Sequence, residues 1–375
     1  MAVRQLFSAQ VAPEVSGNTL VEKDFLENFA LPDSFPDLPK GILPECYPAD
    51  VIGGGFIPNW PLWLVLELSD YYKRSHDEGM IQPYHKKVYN LLNYFKHFEN
   101  KEGLLENLNG TVFIKWLKAN DFTKGVNFPT NMLCAAALEK AGKLYNEKKF
   151  ILKAKKIRRL IRKESFNGKF FADNAIRKSN RELMRTSNTS ETCQYYVFFF
   201  NLADPRIYPQ LWNKIVHEFG PERDDKIIYP KVYKSNLLVG IMLRLELLAR
   251  YHYEKELSSE IKKYFYDMAA STGTLWENTY DNKRASCNHG FTSFVAHLLN
   301  SNILGIRQID NKNKKIKIVF SDLSLKKCKG AIAAGGEKIC LCWKKNKNII
   351  EYTLKLPNGY SAQIINRTKL NLFKN

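Results

Sequence analysis

A carboxylate and an imidazole stand twelve residues apart late in this 375-residue sequence. Glu277 closes the run Gly273-Thr274-Leu275-Trp276-Glu277, where a helical pattern passes into a loop. His289 lies in Ser286-Cys287-Asn288-His289-Gly290, where another helical pattern opens. That placement lets both side chains point into one pocket mouth. A carboxylate there can take a proton from water, and an imidazole can hold a hydroxyl, or the base and its water, in place. The residues alone leave the plain alternatives open: a surface Glu at a helix end and a structural His. Aromatic faces for an apolar ring are offered by Trp60, Trp63, Trp116 and Trp276. Trp60 follows a loop at a helix start and suits a pocket, Trp63 lies in an apolar helix and reads as core, and Trp276 adjoins the carboxylate.

Other chemistries find little support. Gly53-Gly54-Gly55 has no following Lys-Ser/Thr and no preceding strand, so it is no phosphate loop. No H-E-x-x-H pair exists for zinc. The seven cysteines are odd in number, form no C-x-x-C pair and sit mostly in apolar runs, which predicts buried reduced thiols. A net charge of +19 raises nucleic-acid binding, but the lysines run through the whole chain and no recognised binding motif accompanies them. The densest clusters are Lys153 to Lys163 and Lys312 to Lys317, and the first reads as a solvated helix face around Ile157, Leu160 and Ile161. Met1 to Gln10 has no apolar leader, and no run reaches membrane-spanning length.

The elements that must position these residues are mainly helical up to about residue 300. Helical spacing predicts helices near 20–29, 60–72, 81–97, 130–145, 147–165, 189–202, 208–218, 234–253, 256–270 and 288–300. Several are apolar over much of their circumference, notably Tyr195 to Phe200 and Leu237 to Leu248, which places them inside a two-layer helical assembly. After about residue 305 the pattern alternates: Lys315 to Phe320, Lys338 to Trp343, Ile349 to Leu356 and Tyr360 to Ile365, with turn signals between. The expected division is a helical domain over 1–304 and a small antiparallel β domain over 305–375.

The paired segments around Glu277 and His289 resemble the bacterial α-L-rhamnosidase family, in which T-L-W-E supplies a carboxylate and S-x-N-H-G/Y a histidine beside the sugar. Similar stretches are Leu43 to Asp50, Phe56-Ile57-Pro58-Asn59-Trp60, Val126 to Met132 and Ser190 to Tyr196. The resemblance runs over nearly the whole chain in the family's order. It implies a mainly α fold, an (α/α)6 six-hairpin toroid, followed by a β-sandwich-like domain. About ten helices are read where twelve are needed, so the toroid is expected to be incomplete at its N-terminus. The implied activity is inverting hydrolysis of terminal α-L-rhamnose, which uses two carboxyl groups roughly 6.5–9.5 Å apart. Glu277 is the implied catalytic base, and His289, Trp60, Trp276, Asp50 and Asn288 the implied substrate-binding residues. Asp121, Asn127, Glu191 and Gln194 are further polar residues in or near the matching stretches. The family branch carries its general acid in an Arg-Glu-Arg segment followed by Gly-Trp and an acidic residue. This sequence has none, and Arg4 to Ser8 begins just downstream of the expected position. Glu45 and Asp50 are the candidates to replace it. The partner implied is a carbohydrate, with no metal or organic cofactor, nucleic acid or membrane. The alternative is an inactive, sugar-binding remnant of the family; a six-hairpin hydrolase for uronic-acid sugars is a minor one.

Overall fold

The computed structural model describes residues 6–35, 38–47, 55–226, 228–279, 286–310 and 312–375. The chain forms two compact units: Met1–Leu6 with Lys23–Arg244, and Phe7–Glu22 with Leu245–Asn375. The division falls within helix Met242–Arg250, not at 304/305 where the apolar period changes. Period reports local backbone, whereas compactness reports packing, and the late helical segments pack with the strands. The π-helical turn Leu299–Leu304, for example, lies against strands Ile306–Asp310 and Lys327–Ala334.

In the first unit, helices Pro61–Ser75, Glu78–Lys96, Phe128–Leu144, Lys148–Ser165, Glu191–Phe199 and Pro209–His217 lie where the spacing predicts them. Phe128–Leu144 is the central one. It packs against Pro61–Ser75, Lys148–Ser165 and Glu191–Phe199, which is why it is buried on nearly every side. Its start is fixed by Asn127 Oδ1, which accepts from Thr130 N–H at 2.9 Å, with Pro129 in the first turn. Lys148–Ser165 buries Phe150, Ala154, Ile157 and Ile161, a stripe at spacings of three and four. Lys155, Lys156 and Arg159 stay exposed, while half-buried Arg158 meets Glu139 at 2.6 Å and half-buried Lys153 meets Glu99. The helix expected from 81 begins at Glu78, because Asp77 accepts from Met80 N–H at 3.1 Å.

One expected helix is broken. The span 234–253 contains a π turn, Leu237–Ile241, before Met242–Arg250. Leu238 is extended and Val239 adopts φ 66°, ψ −60°, a costly conformation for a β-branched residue. Gly240 lies so close to Ser235 that a Cβ would stand 1.7 Å from its Oγ.

In the second unit, helix Glu254–Thr272 is followed by the 3-10 turn Gly290–Ser293, the short helix Phe294–Leu298 and the π turn Leu299–Leu304, where one helix over 288–300 was expected. The strands form two sheets. One has the order Asn371–Lys374, Ile349–Lys355, Glu337–Asn346, Lys327–Ala334; the other has the order Ser361–Asn366, Lys315–Phe320, Ile306–Asp310. Their inner faces share one core that includes Ile318, Phe320, Ile339, Leu341, Trp343 and Ile350, a sandwich arrangement. Two pairings are parallel, Ile349–Lys355 with Asn371–Lys374 and Lys315–Phe320 with Ser361–Asn366. The turn at Pro357-Asn358-Gly359 therefore crosses from one sheet to the other instead of closing a hairpin. The Gly335-Gly336 turn does close one, with φ 59° and 86°.

Candidate active site

Glu277, His289, Trp276 and Asn288 all belong to the second unit. Helix Glu254–Thr272 ends on Gly273, whose φ of 70° and N–H bond to Ala269 O at 3.0 Å turn the chain out of the helix. The segment that follows is tied to the later one by backbone bonds: Glu277 N–H to Ser286 O and His289 N–H to Leu275 O, both 2.9 Å. This clasp sets His289 Nε2 3.9 Å from Glu277 Oε1, with the two side chains 6% and 18% exposed. The gap exceeds a hydrogen bond, yet a single oxygen can lie within reach of both, about 2.8 Å from each. The imidazole packs edge-on against Phe291, ring centres 4.4 Å apart. Ser8 Oγ donates to Gly290 O at 3.0 Å, and Phe7 meets Phe294, so the early chain of this unit braces the turn behind His289.

Trp276 is half-buried; its indole N–H donates to Thr272 Oγ1 at 2.8 Å, and its backbone N–H points at Met268 Sδ, 3.5 Å away. Asn288 is exposed, its backbone folded in a turn with Ser286. A water beside Glu277 would thus meet a carboxylate and an imidazole on two segments held together by backbone bonds.

Trp60 belongs to the first unit. It is 2% exposed and packs edge-on against Phe113, 5.3 Å between centres, as a core residue packs. Trp63 is likewise buried, against Tyr196 and Phe200. Trp116 is half exposed beside Phe113. Asp50 lies outside the described residues. Glu45 accepts from Ile57 N–H at 2.8 Å, and burial raises its carboxyl above the usual range, against the lowering effect of that bond.

The other polar candidates are consumed by the frame. Asn127 caps its helix and donates to Phe122 O at 3.0 Å. Gln194 is matched to backbone on every side: it accepts from Phe171 N–H and donates to Phe171 O and Ser190 O. Glu191 is buried against Arg223, 2.5 Å, and accepts from Ser235 N–H at 3.0 Å. Asp121 is exposed, paired with Lys118 at 2.7 Å. Beside these, Ser190 donates both its N–H and its hydroxyl to Asp173, 2.6 and 2.7 Å. Burial pushes the Asp173 carboxyl up to about 7 and pulls the buried Lys115 ammonium down to about 7. The sequence carries no periodic signal for either residue. Among the described residues, no group of three or more His, Cys, Asp or Glu side chains could hold a metal ion.

The profile of the bacterial alpha-L-rhamnosidase six-hairpin glycosidase domain matches residues 25–303. Among solved structures, the chain is similar to the GH78 family rhamnosidase of Bacillus sp. GL1, with TM-score 0.82 and 15% identity over 100% of this chain and 39% of that one. It is also similar to the alpha-L-rhamnosidase of Dictyoglumus thermophilum, with TM-score 0.69 and 15% identity over 97% of this chain and 40% of that one. A third is the Streptomyces avermitilis alpha-L-rhamnosidase complexed with L-rhamnose, with TM-score 0.68 and 14% identity over 97% of this chain and 34% of that one. At such identities the likeness establishes the fold, and the chain spans about two-fifths of the length of these enzymes. No curated protein is significantly similar to it. With its profile match covering most of its length, the chain belongs to the bacterial α-L-rhamnosidase six-hairpin glycosidase family, a family of glycoside hydrolases.

Proposed function

We propose that the chain is the six-hairpin portion of an α-L-rhamnosidase that releases terminal α-L-rhamnose with inversion. Glu277 is the base that deprotonates the attacking water. His289 holds that water or a sugar hydroxyl, Trp276 walls the sugar, and Asn288 offers it a polar contact. The observation that carries this reading is the approach of His289 Nε2 to Glu277 Oε1, 3.9 Å, on two segments clasped by backbone bonds. The Streptomyces avermitilis relative holds L-rhamnose, which supports the choice of sugar. Inversion also needs a carboxyl that donates a proton to the leaving oxygen.

The test is turnover of an aryl α-L-rhamnoside by the chain and by Glu277→Gln, with the first-formed sugar anomer followed by NMR. The expected result is β-L-rhamnose from the parent and a loss of about 10³-fold or more in kcat for the variant, with an unchanged melting temperature. Full activity in Glu277→Gln would remove the base assignment. A second reading, a sugar-binding module without turnover, predicts L-rhamnose uptake by both proteins and hydrolysis by neither.

A further inference from the structure

The indole of Trp276 sits at one end of a chain of hydrogen bonds. Trp276 Nε1 donates to Thr272 Oγ1 at 2.8 Å, Thr272 Oγ1 and Thr274 Oγ1 are 2.8 Å apart, and Thr274 Oγ1 donates to the carbonyl of Cys287. Each hydroxyl has one proton to give. With the Thr274 proton on Cys287 O, the proton between the threonines must come from Thr272. In that arrangement the order runs indole to Thr272, Thr272 to Thr274, Thr274 to Cys287. Donation in one direction along such a chain lets each bond polarise the next. Thr272 Oγ1 also lies 3.1 Å from Met268 O, so its proton has an alternative acceptor within its own helix.

This chain joins the helix end at 272, the wall at 276 and the segment that bears His289. It runs beside the two backbone bonds that tie 275–277 to 286–289. The Thr272 side chain is exposed, so its polar bonds, and not core packing, are what a substitution there would remove.

We propose that Thr272 and Thr274 are positioning residues of the sugar site. They fix the plane of the Trp276 indole and the register of the Glu277 segment against the His289 segment, so that L-rhamnose meets a wall already set. This rests on the reading of the Glu277–His289 site as a rhamnose pocket. Pre-set geometry lowers the ordering cost of binding, and its loss appears as weaker affinity.

The experiment compares the parent chain with Thr272→Val, which keeps the shape but removes the acceptor, and with Thr272→Ser, which restores it. L-rhamnose is titrated calorimetrically, melting is followed, and the Trp276 indole N–H resonance is observed by NMR. Thr272→Val is expected to weaken L-rhamnose binding by about threefold to tenfold, the worth of one neutral hydrogen bond. Its melting temperature stays with the parent's, and the indole resonance moves and exchanges faster with solvent. Thr272→Ser recovers both affinity and resonance. Parent-like affinity in Thr272→Val overturns the inference while leaving the functional reading in place. A serine variant as weak as the valine one overturns it too, since the hydroxyl would then not be the operative group. Failure of the parent chain to take up L-rhamnose sinks the functional reading itself, and this inference with it.

Discussion

His289 Nε2 stands 3.9 Å from Glu277 Oε1, and the backbones that carry the two residues are joined by bonds of 2.9 Å on either side of that gap. The imidazole is almost fully enclosed and the carboxylate is not. The pair therefore has one enclosed member and one that still meets solvent, as the proposed role of Glu277 as a base requires.

The first consequence concerns His289 itself. His289→Asn keeps a polar side chain beside Glu277 but changes its reach. We expect kcat/KM on an aryl α-L-rhamnoside to fall by about 10²-fold, the scale of a lost water-positioning group. Thermal melting should move little. A large drop in melting temperature with turnover intact would assign His289 to packing against Phe291.

The second concerns pH and the buried frame of the first unit. Asp173 titrates near 3.8 when unfolded and is pushed up to about 7 by burial in the fold. Below 3.8 it is protonated in both states. Between 3.8 and about 7 the native chain keeps a proton that the unfolded chain releases, so this residue's contribution to stability falls as pH rises, and the loss is complete above about 7. Lys115 acts in the other window: its burial penalty fades as pH climbs from about 7 towards 10.5. Asp173→Asn should therefore show a flatter dependence of urea midpoint on pH between 4.5 and 7 than the parent, a comparison that about 0.3 M resolution in midpoint suffices to make. Parallel curves would mean that Asp173 ionises in the fold as it does in water.

The third concerns the broken helix. A methyl on Gly240 would stand 1.7 Å from Ser235 Oγ and 3.0 Å from Ser235 Cβ, and Ser235 is itself bonded to Thr192 at 2.8 Å. Gly240→Ala is expected to destabilise the chain by about 1–3 kcal/mol, as overpacking does. Adding Ser235→Ala should return part of it. Chemical denaturation of the single and double variants reads this out; an unaffected single variant would show that the close approach is absent in solution.

Much of the fold was legible in the sequence because helix and strand periods are local. Apolar residues three and four apart placed Lys148–Ser165 and Phe128–Leu144, and alternation placed Lys315–Phe320 and Ile349–Lys355. The T-L-W-E and S-C-N-H-G segments were likewise visible as short strings, and with them the family. What no local window contains is a partner. That Trp60 is spent on Phe113, Gln194 on the backbone of Phe171, and Glu191 on Arg223 depends on chain brought back from 23 to 53 positions away. The same holds for the parallel pairing of Lys315–Phe320 with Ser361–Asn366. The sequence by itself determined where the elements lie and which carboxylate and imidazole to consider. Only the tertiary structure decided which polar groups were already satisfied by the frame, since hydrogen bonds are closed in space and not along the chain.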